Sequence, residues 1–389
     1  MPLVSNASRL ALRQPGRALF SVRPTYKSCD PLRILFCGAD EFSIASLKAL
    51  HAEHVKSPEI IASIDVVCRP GKPVGRLRQE IRHLPIKSVA EELALSLHEI
   101  DTFKGWTPPT PQGEQINLII AVSFGLFVPR RILSAAKYGG LNVHPSLLPD
   151  LKGPAPIHHA LLAGDKTTGI TLQTLDTNHF DEGLILDQTP APGFPIPDPK
   201  NITVPLLCEY VAPKGAQMLI DGIRNRLFVP PLSPIIPRPS HQLRHARKIH
   251  PSDRNLDWSS WTWDTIHRRQ KIIGPLWNNA LSLPNLPKNP DKRLHRRIIY
   301  ENLRLVEGIP GVTSLPEIGH GIPFALSGPL GARDVRSLYV ITCDKKLVEI
   351  QRLKVEGSVM SRAFGASLKA RFFNQNSPGK FVTFHEGLI

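Results

Sequence analysis

Residues 116–122 read Ile-Asn-Leu-Ile-Ile-Ala-Val, a nearly unbroken apolar run about one strand long. A strand with one wet face alternates polar and apolar side chains. A run with almost no polar positions is buried on both faces, as in the middle of a parallel sheet. Such a sheet needs helices on both sides, so strands and helices should alternate along the chain. Residues 33–36 (Arg-Ile-Leu-Phe) and 60–67 predict two further strands. A helix over 41–53 lies between them, with Asp40 placed to cap it. Helices are also predicted over 88–97 and 129–136, the second with Pro129 at its first position. Residues 141–144 form a short strand that runs into a loop. A helix over 156–163, a β-rich run over 169–175 and an amphipathic helix over 204–227 follow. The expected fold class is α/β, with a doubly wound, mostly parallel sheet.

Five prolines fall within residues 228–239, which excludes a helix or a central strand. We read an extended linker over 228–242, closing a first domain of 30–227 and opening a C-terminal one of 243–389. In the latter, residues 337–342 and 347–353 predict strands around the turn Asp344-Lys345-Lys346. Residues 284–330, rich in Pro and Gly, give no clear assignment. A small β-barrel is expected for the C-terminal domain as a whole. The charge divides in the same way. The formal net charge is +15, yet residues 30–199 carry 15 basic and 19 acidic side chains, against 28 and 14 in 200–389. A near-neutral body joined to a basic half suggests a catalytic domain beside a surface for a polyanion.

Residues 1–29 hold five basic side chains and no acidic one, with Leu10, Leu12, Leu19 and Phe20 among them. This is the composition of a mitochondrial transit peptide, which places the protein in the mitochondrial matrix. A disordered basic tail is the competing reading. No run approaches the length of a transmembrane helix, so membrane insertion is not expected; a monomer is. The five cysteines (Cys29, Cys37, Cys68, Cys208, Cys343) show neither paired spacing nor a Cys/His ligand pattern. Reduced thiols and no metal are expected.

The turn after the first strand holds a single glycine, Gly38, and neither the dinucleotide nor the P-loop glycine pattern occurs. A serine nucleophile elbow is absent as well. Asn142 and His144 are more informative. Two residues apart at the end of a predicted strand, they share a face, and strand carboxyl ends are where α/β proteins place ligands. An amide and an imidazole at one point supply an oxyanion donor and a proton acceptor, which acyl transfer to an amine requires. Residues 69–82 hold Arg69, Lys72, Arg76, Arg78 and Arg82 among Pro70, Gly71 and Gly75, a flexible, positively charged loop.

Asn142-Val-His144-Pro-Ser146-Leu147-Leu148-Pro149 is followed by Gly153-Pro-Ala-Pro156, Gly169-Ile-Thr171 and Asp181-Glu-Gly183. In order and spacing these segments resemble the folate-dependent formyltransferase family. The resemblance implies formyl transfer from 10-formyltetrahydrofolate to an amine, with Asn142, His144 and Asp181 as the catalytic trio. Ser146, Leu147, Leu148 and Pro149 would form part of the folate pocket, lined further by Phe124, Gly125 and Leu126. Gly38 with Phe42, the basic loop from Arg69 to Arg76, Ala121-Val-Ser-Phe-Gly125 and Asp257-Trp258-Ser259 resemble the members that act on initiator methionyl-tRNA. That tRNA is the expected partner. Arg69, Lys72, Arg76 and Arg78 would reach its acceptor end, and Arg247 and Lys248 would serve an OB-like C-terminal barrel that holds the stem. The basic stretches 244–248, 268–269 and 292–297 are further candidates.

Two features depart from the pattern. Residues 176–181 run one residue longer than the bacterial form, so Asp176 rivals Asp181, which Gly183 favours. Pro145 stands where glycine is common. Other readings are a small amine acceptor (glycinamide ribonucleotide or an amino sugar nucleotide), a formate-releasing hydrolase, and an RNA-binding protein without catalysis.

Overall fold

The computed structural model describes residues 27–75, 78–238, 242–282, 295–315, 317–326, 337–373 and 381–384. Residues 1–26 of the expected transit peptide lie outside this set. Lys27 belongs to the folded body: its ammonium donates to the carbonyls of Val229 at 2.7 Å and Pro231 at 2.8 Å. Packing therefore reaches back past the expected boundary at residue 29.

The first sheet is built from β1 (Leu32–Gly38), β2 (Ile61–Cys68), β5 (Ser96–Glu99), β6 (Leu118–Val122), β7 (Gly140–His144), β9 (Thr171–Thr174) and β10 (Ile185–Gln188). Its order is β10-β9-β7-β6-β1-β2-β5, with β6 at the centre. Every side chain of β6 is buried, as its apolar run requires. Strands β5, β2, β1, β6 and β7 run parallel; β9 and β10 complete the edge antiparallel. The helices α1 (Glu41–Lys56), α2 (Pro85–Glu92), α3 (Arg130–Leu133), α4 (Pro156–Ala163) and α5 (Val204–Arg224) accompany it. Asp40 caps α1, accepting from the Ser43 amide at 3.1 Å. Cys37 and Cys68 are buried in β1 and β2. Burial pushes both thiols up, Cys68 to about 11. Two short ladders complete this half: β3 (Lys72–Val74) with β4 (Glu80–Arg82), and β8 (Thr167–Thr168) with β11 (Phe194–Pro195).

Three expectations need correction. The helix predicted over 88–97 is α2, which starts earlier, at Pro85, and ends before Ala94 takes a left-handed φ of 53°. Residues 96–99 then become the edge strand β5. Only one turn follows Pro129, which is the N-cap rather than the first helical residue. The basic loop is not wholly irregular, because its two arms pair as a ribbon.

The second sheet is antiparallel. Its strands are β12 (Leu276–Leu281), β13 (His295–Leu305), β14 (Phe324–Leu326), β15 (Leu338–Ile341), β16 (Leu347–Val355), β17 (Ser361–Arg362) and β18 (Phe381–Thr383). They run in the order β12-β13-β16-β15-β14-β18, with β17 on β16. The register of β13 shifts near Tyr300 and Asn302, the kind of bulge that bends a strand. Tyr300 is wholly buried there, donating to Asn278 at 2.7 Å and meeting the Trp258 ring edge-on. The helices α6 (Trp263–Ile273) and α7 (Ala363–Lys369) accompany this sheet. α6 packs on α4, joining the two halves, and Arg268 lies so close to Gly164 that a Cβ there would fall 2.7 Å from its guanidinium.

Candidate active site

Strand β7 lies where the parallel part of the sheet meets the antiparallel edge, and its carboxyl end carries Asn142 and His144. In register, Asn142 faces Gln173 and His144 faces Thr171 across β9. His144 is 5% exposed. Both its ring nitrogens face oxygens. Nδ1 lies 3.5 Å from Oδ1 of Asp181, and Nε2 lies 3.0 Å from the carbonyl of Leu151.

Asp181 is held from two sides. Gly153 N–H donates to Oδ2 at 2.9 Å and Gln173 Nε2 to Oδ1 at 3.0 Å. Its backbone adopts φ 55°, a strained region for a non-glycine residue and one that persists only when neighbours fix it. Gly183 must be glycine, since a Cβ would stand 1.7 Å from the Thr174 carbonyl. The rival, Asp176, spends its carboxylate on the amides of Asn178 and His179, both at 2.8 Å, which hold it below the usual carboxylate range. It is Asp181 that meets His144.

Among the described residues, the Oδ1 of Asn142 and the Oε1 of Gln173 are buried without a hydrogen-bond partner. Buried polar atoms are normally paired, so two side-chain amides with unmet atoms beside the His144–Asp181 pair suit a polar ligand.

Residues 146–149 form a turn knitted by Thr171 and Gln188. Thr171 Oγ1 donates to the Ser146 carbonyl at 2.7 Å and accepts from the Leu148 amide at 3.1 Å. Gln188 Nε2 donates to the Leu148 carbonyl at 2.8 Å, and Ser146 Oγ donates to the Asp150 carbonyl at 2.7 Å. The Leu148–Pro149 peptide is cis, and Leu147 lies over Gly169, where a Cβ would clash at 2.3 Å. Phe124 is buried against Phe103, while Gly125 turns with φ 76°. Leu126 and Phe127 line a cavity of about 330 Å³ with Phe103, Lys104 and Arg131, which none of the trio reaches.

Residues 32–203 match the formyl transferase family model. Methionyl-tRNA formyltransferase, mitochondrial, of Saccharomyces cerevisiae is 30% identical over 398 residues, spanning 92% of this chain and 95% of that one. This chain belongs to the methionyl-tRNA formyltransferase family. Methionyl-tRNA formyltransferase of Cereibacter sphaeroides is 30% identical over 330 residues, covering 84% and 92% of the two chains. The human protein named methionyl-tRNA formyltransferase, mitochondrial, is 33% identical over 246 residues, covering 63% and 57%.

For a methionyl-tRNA formyltransferase the basic side chains matter next. Lys72 and Arg78 are exposed on the ribbon, Lys72 directly opposite Arg82. Arg69 is half-buried and pairs with Asp101 at 3.4 Å. Arg76 lies outside the described residues. Lys248 is exposed, but Arg247 grips the Asp253 carboxylate with both terminal nitrogens. Within the stretch 244–248, Arg244 is not free for a phosphate; it is bound to Asp150 and Asp165.

The sequence reading missed Gln173, Leu151 and Gly153. Gln173 could have been found, since a period of two from Thr171 puts it on the same face. Leu151 acts through its carbonyl, which leaves no residue-type signal. Gly153 acts through its amide, and only its being glycine, in a motif that gave it no role, marks the position. Phe180, 61% exposed, sits one residue before Asp181 with its ring edge-on to Phe127 at 5.1 Å.

Proposed function

We propose that this protein transfers the formyl group of 10-formyltetrahydrofolate to the α-amino group of methionine on initiator methionyl-tRNA, in the mitochondrial matrix. The observation that carries this reading is the contact of His144 with Asp181, with Asn142 two residues back on the same strand end, in a chain matched nearly end to end by a relative of that name. The mitochondrial relatives and the acid-free, Arg-rich residues 1–29 support the location.

The methionyl ammonium first loses a proton, for which His144 is the nearby acceptor. To take it, Nε2 exchanges its contact with Leu151 for one with the amine, while Asp181 holds Nδ1 and stabilises the resulting cation. The amine nitrogen then attacks the formyl carbon. A C–N bond forms, and the carbonyl oxygen gains the electron pair of its π bond. The amide of Asn142, turned so that Nδ2 donates, meets this oxyanion. Such a donor typically contributes a factor of about 10²–10³. Collapse restores the carbonyl and breaks the bond to N10. The attacking nitrogen, cationic after the attack, gives up its surplus proton and N10 takes that proton up, so a neutral formamide remains as tetrahydrofolate leaves. Ser146, Leu147, Leu148 and Pro149, with Phe124, Gly125 and Leu126, are assigned to the folate side of the site.

The domains are proposed as a catalytic unit of 30–227, a linker of 228–242, and a tRNA-binding unit of 243–389 whose antiparallel sheet is read as OB-like. A monomer is proposed. Lys72 and Arg78 are assigned to tRNA, with Arg69, Arg76, Arg247 and Lys248. On the ribbon, Lys72 opposite Arg82 is a like-charge pair that costs stability by itself and is relieved by a phosphate between them.

The test is to incubate the protein with 10-formyltetrahydrofolate and methionyl-tRNA and look for formylmethionine on the tRNA. Formylation lost in His144→Ala supports the reading. Release of formate, or transfer only to a small amine, overturns the tRNA assignment.

A further inference from the structure

Of the three groups that hold the reacting pair, Gln173 lies on β9 and the other two lie on one loop. Residues 150–155 supply the Leu151 carbonyl to His144 and the Gly153 amide to Asp181. This loop has little regular structure of its own. What holds it is the chain segment 244–246, which arrives from far along the sequence on the way to the second sheet. Leu151 N–H donates to the Arg244 carbonyl at 2.8 Å, Ala246 N–H to the Lys152 carbonyl at 2.7 Å, and Ala155 N–H to the Ala246 carbonyl at 3.1 Å. The Arg244 guanidinium spans two carboxylates. It meets Asp150 at 2.6 and 3.3 Å and Asp165 at 2.8 and 2.9 Å. Asp150 also accepts from the Arg244 amide at 2.8 Å. The fit is close enough to dictate a residue: Gly153 has φ 119°, and a Cβ there would stand 2.6 Å from the Ala246 carbonyl.

We propose that Arg244 is a positioning residue: by clamping loop 150–155 it sets the geometry of His144 and Asp181, so turnover depends on the segment that leads into the second sheet. This rests on the reading of that pair as the reacting groups. A planar fork bound to two carboxylates is a geometric device that lysine cannot copy, and small displacements of reacting groups cost large factors in rate.

The experiment compares Arg244→Met and Arg244→Lys in the full chain, measuring kcat, KM for both substrates and tRNA affinity. Positioning predicts that kcat falls about tenfold or more in both variants, with tRNA affinity within about twofold of wild type. In an Asp181→Asn background the further loss from Arg244→Met should shrink to under about twofold, because both changes act through His144. An ordinary phosphate contact predicts the reverse: weakened tRNA binding in Arg244→Met, near-normal behaviour in Arg244→Lys and unchanged kcat. That pattern would overturn the proposal. Amide hydrogen exchange at Leu151 and Gly153 is read independently of activity. Faster exchange in either folded variant supports the clamp; unchanged exchange overturns it. Wild-type protein that forms no formylmethionine would overturn the functional reading alone.

Discussion

The loop 150–155 and the ribbon 72–82 are both short segments beside the same sheet, yet they are built in opposite ways. The loop is tied at nearly every residue, to β7, to Asp181 and to segment 244–246. The ribbon presents exposed Lys72 and Arg78 and sets Lys72 against Arg82. The first arrangement gains precision at the cost of adaptability, which suits groups that must meet a reacting carbon. The second leaves charge exposed to solvent, which suits a partner recognised mainly by its phosphates.

The largest effect should come from emptying the tied region at its centre. His144→Ala and Asn142→Ala should each lower kcat by about 10² or more, with tRNA binding unchanged in a filter assay. A variant that keeps its rate would remove that residue from the mechanism. Next, Gly153→Ala should destabilise the fold by about 1–3 kcal/mol in a denaturant titration, through backbone strain and the Ala246 contact, and should lower kcat as well. A stable, fully active variant would show that the loop is less constrained than its contacts suggest.

The ribbon should behave differently. Lys72→Ala with Arg78→Ala should leave kcat near wild type, weaken tRNA affinity, and flatten the slope of log affinity against log salt by about 0.7–0.9 per lost phosphate contact. An unchanged slope would make these residues ordinary surface charge. The smallest effect concerns Asp253, whose carboxyl is lowered to about 2, chiefly by its hydrogen bond from Arg247. Unfolded, it would titrate near the usual value of about 3.9. Between about pH 4 and 2 the unfolded chain therefore binds a proton that the folded one does not, and stability falls as pH drops through that window. Asp253→Asn should show a shallower acid loss, checked by thermal melts at stepped pH.

Much of the architecture could be read from residue order because buried parallel strands announce themselves. Residues 116–122 predicted the sheet centre, and the apolar positions of 41–53 predicted α1. The error over 88–97 has a physical cause. Strand β5 (Ser-Leu-His-Glu) pairs on one side only and stays partly exposed, so it lacks the apolar run that marks an inner strand, and the preceding Ala/Glu/Leu composition favours a helix. At the site, a period of two put Asn142 and His144 on one face, but that spacing is common, and it was the resemblance of the segments around them that singled them out. Asp181 stood out only because Gly183 followed it. The partners of Arg244 were not legible, since Asp150 and Asp165 precede it by 94 and 79 residues and nothing local distinguishes this arginine from its basic neighbours.

The thiols of Cys37 and Cys68 have a practical consequence. A thiolate is the form that alkylating reagents attack, and both groups are sealed in β1 and β2 with burial holding them protonated. Labelling at Cys37 should therefore proceed only as fast as the middle of the sheet opens. The rate at which a small maleimide modifies Cys37, read apart from the less buried Cys29, Cys208 and Cys343, becomes a stopwatch for the breathing of this half of the molecule.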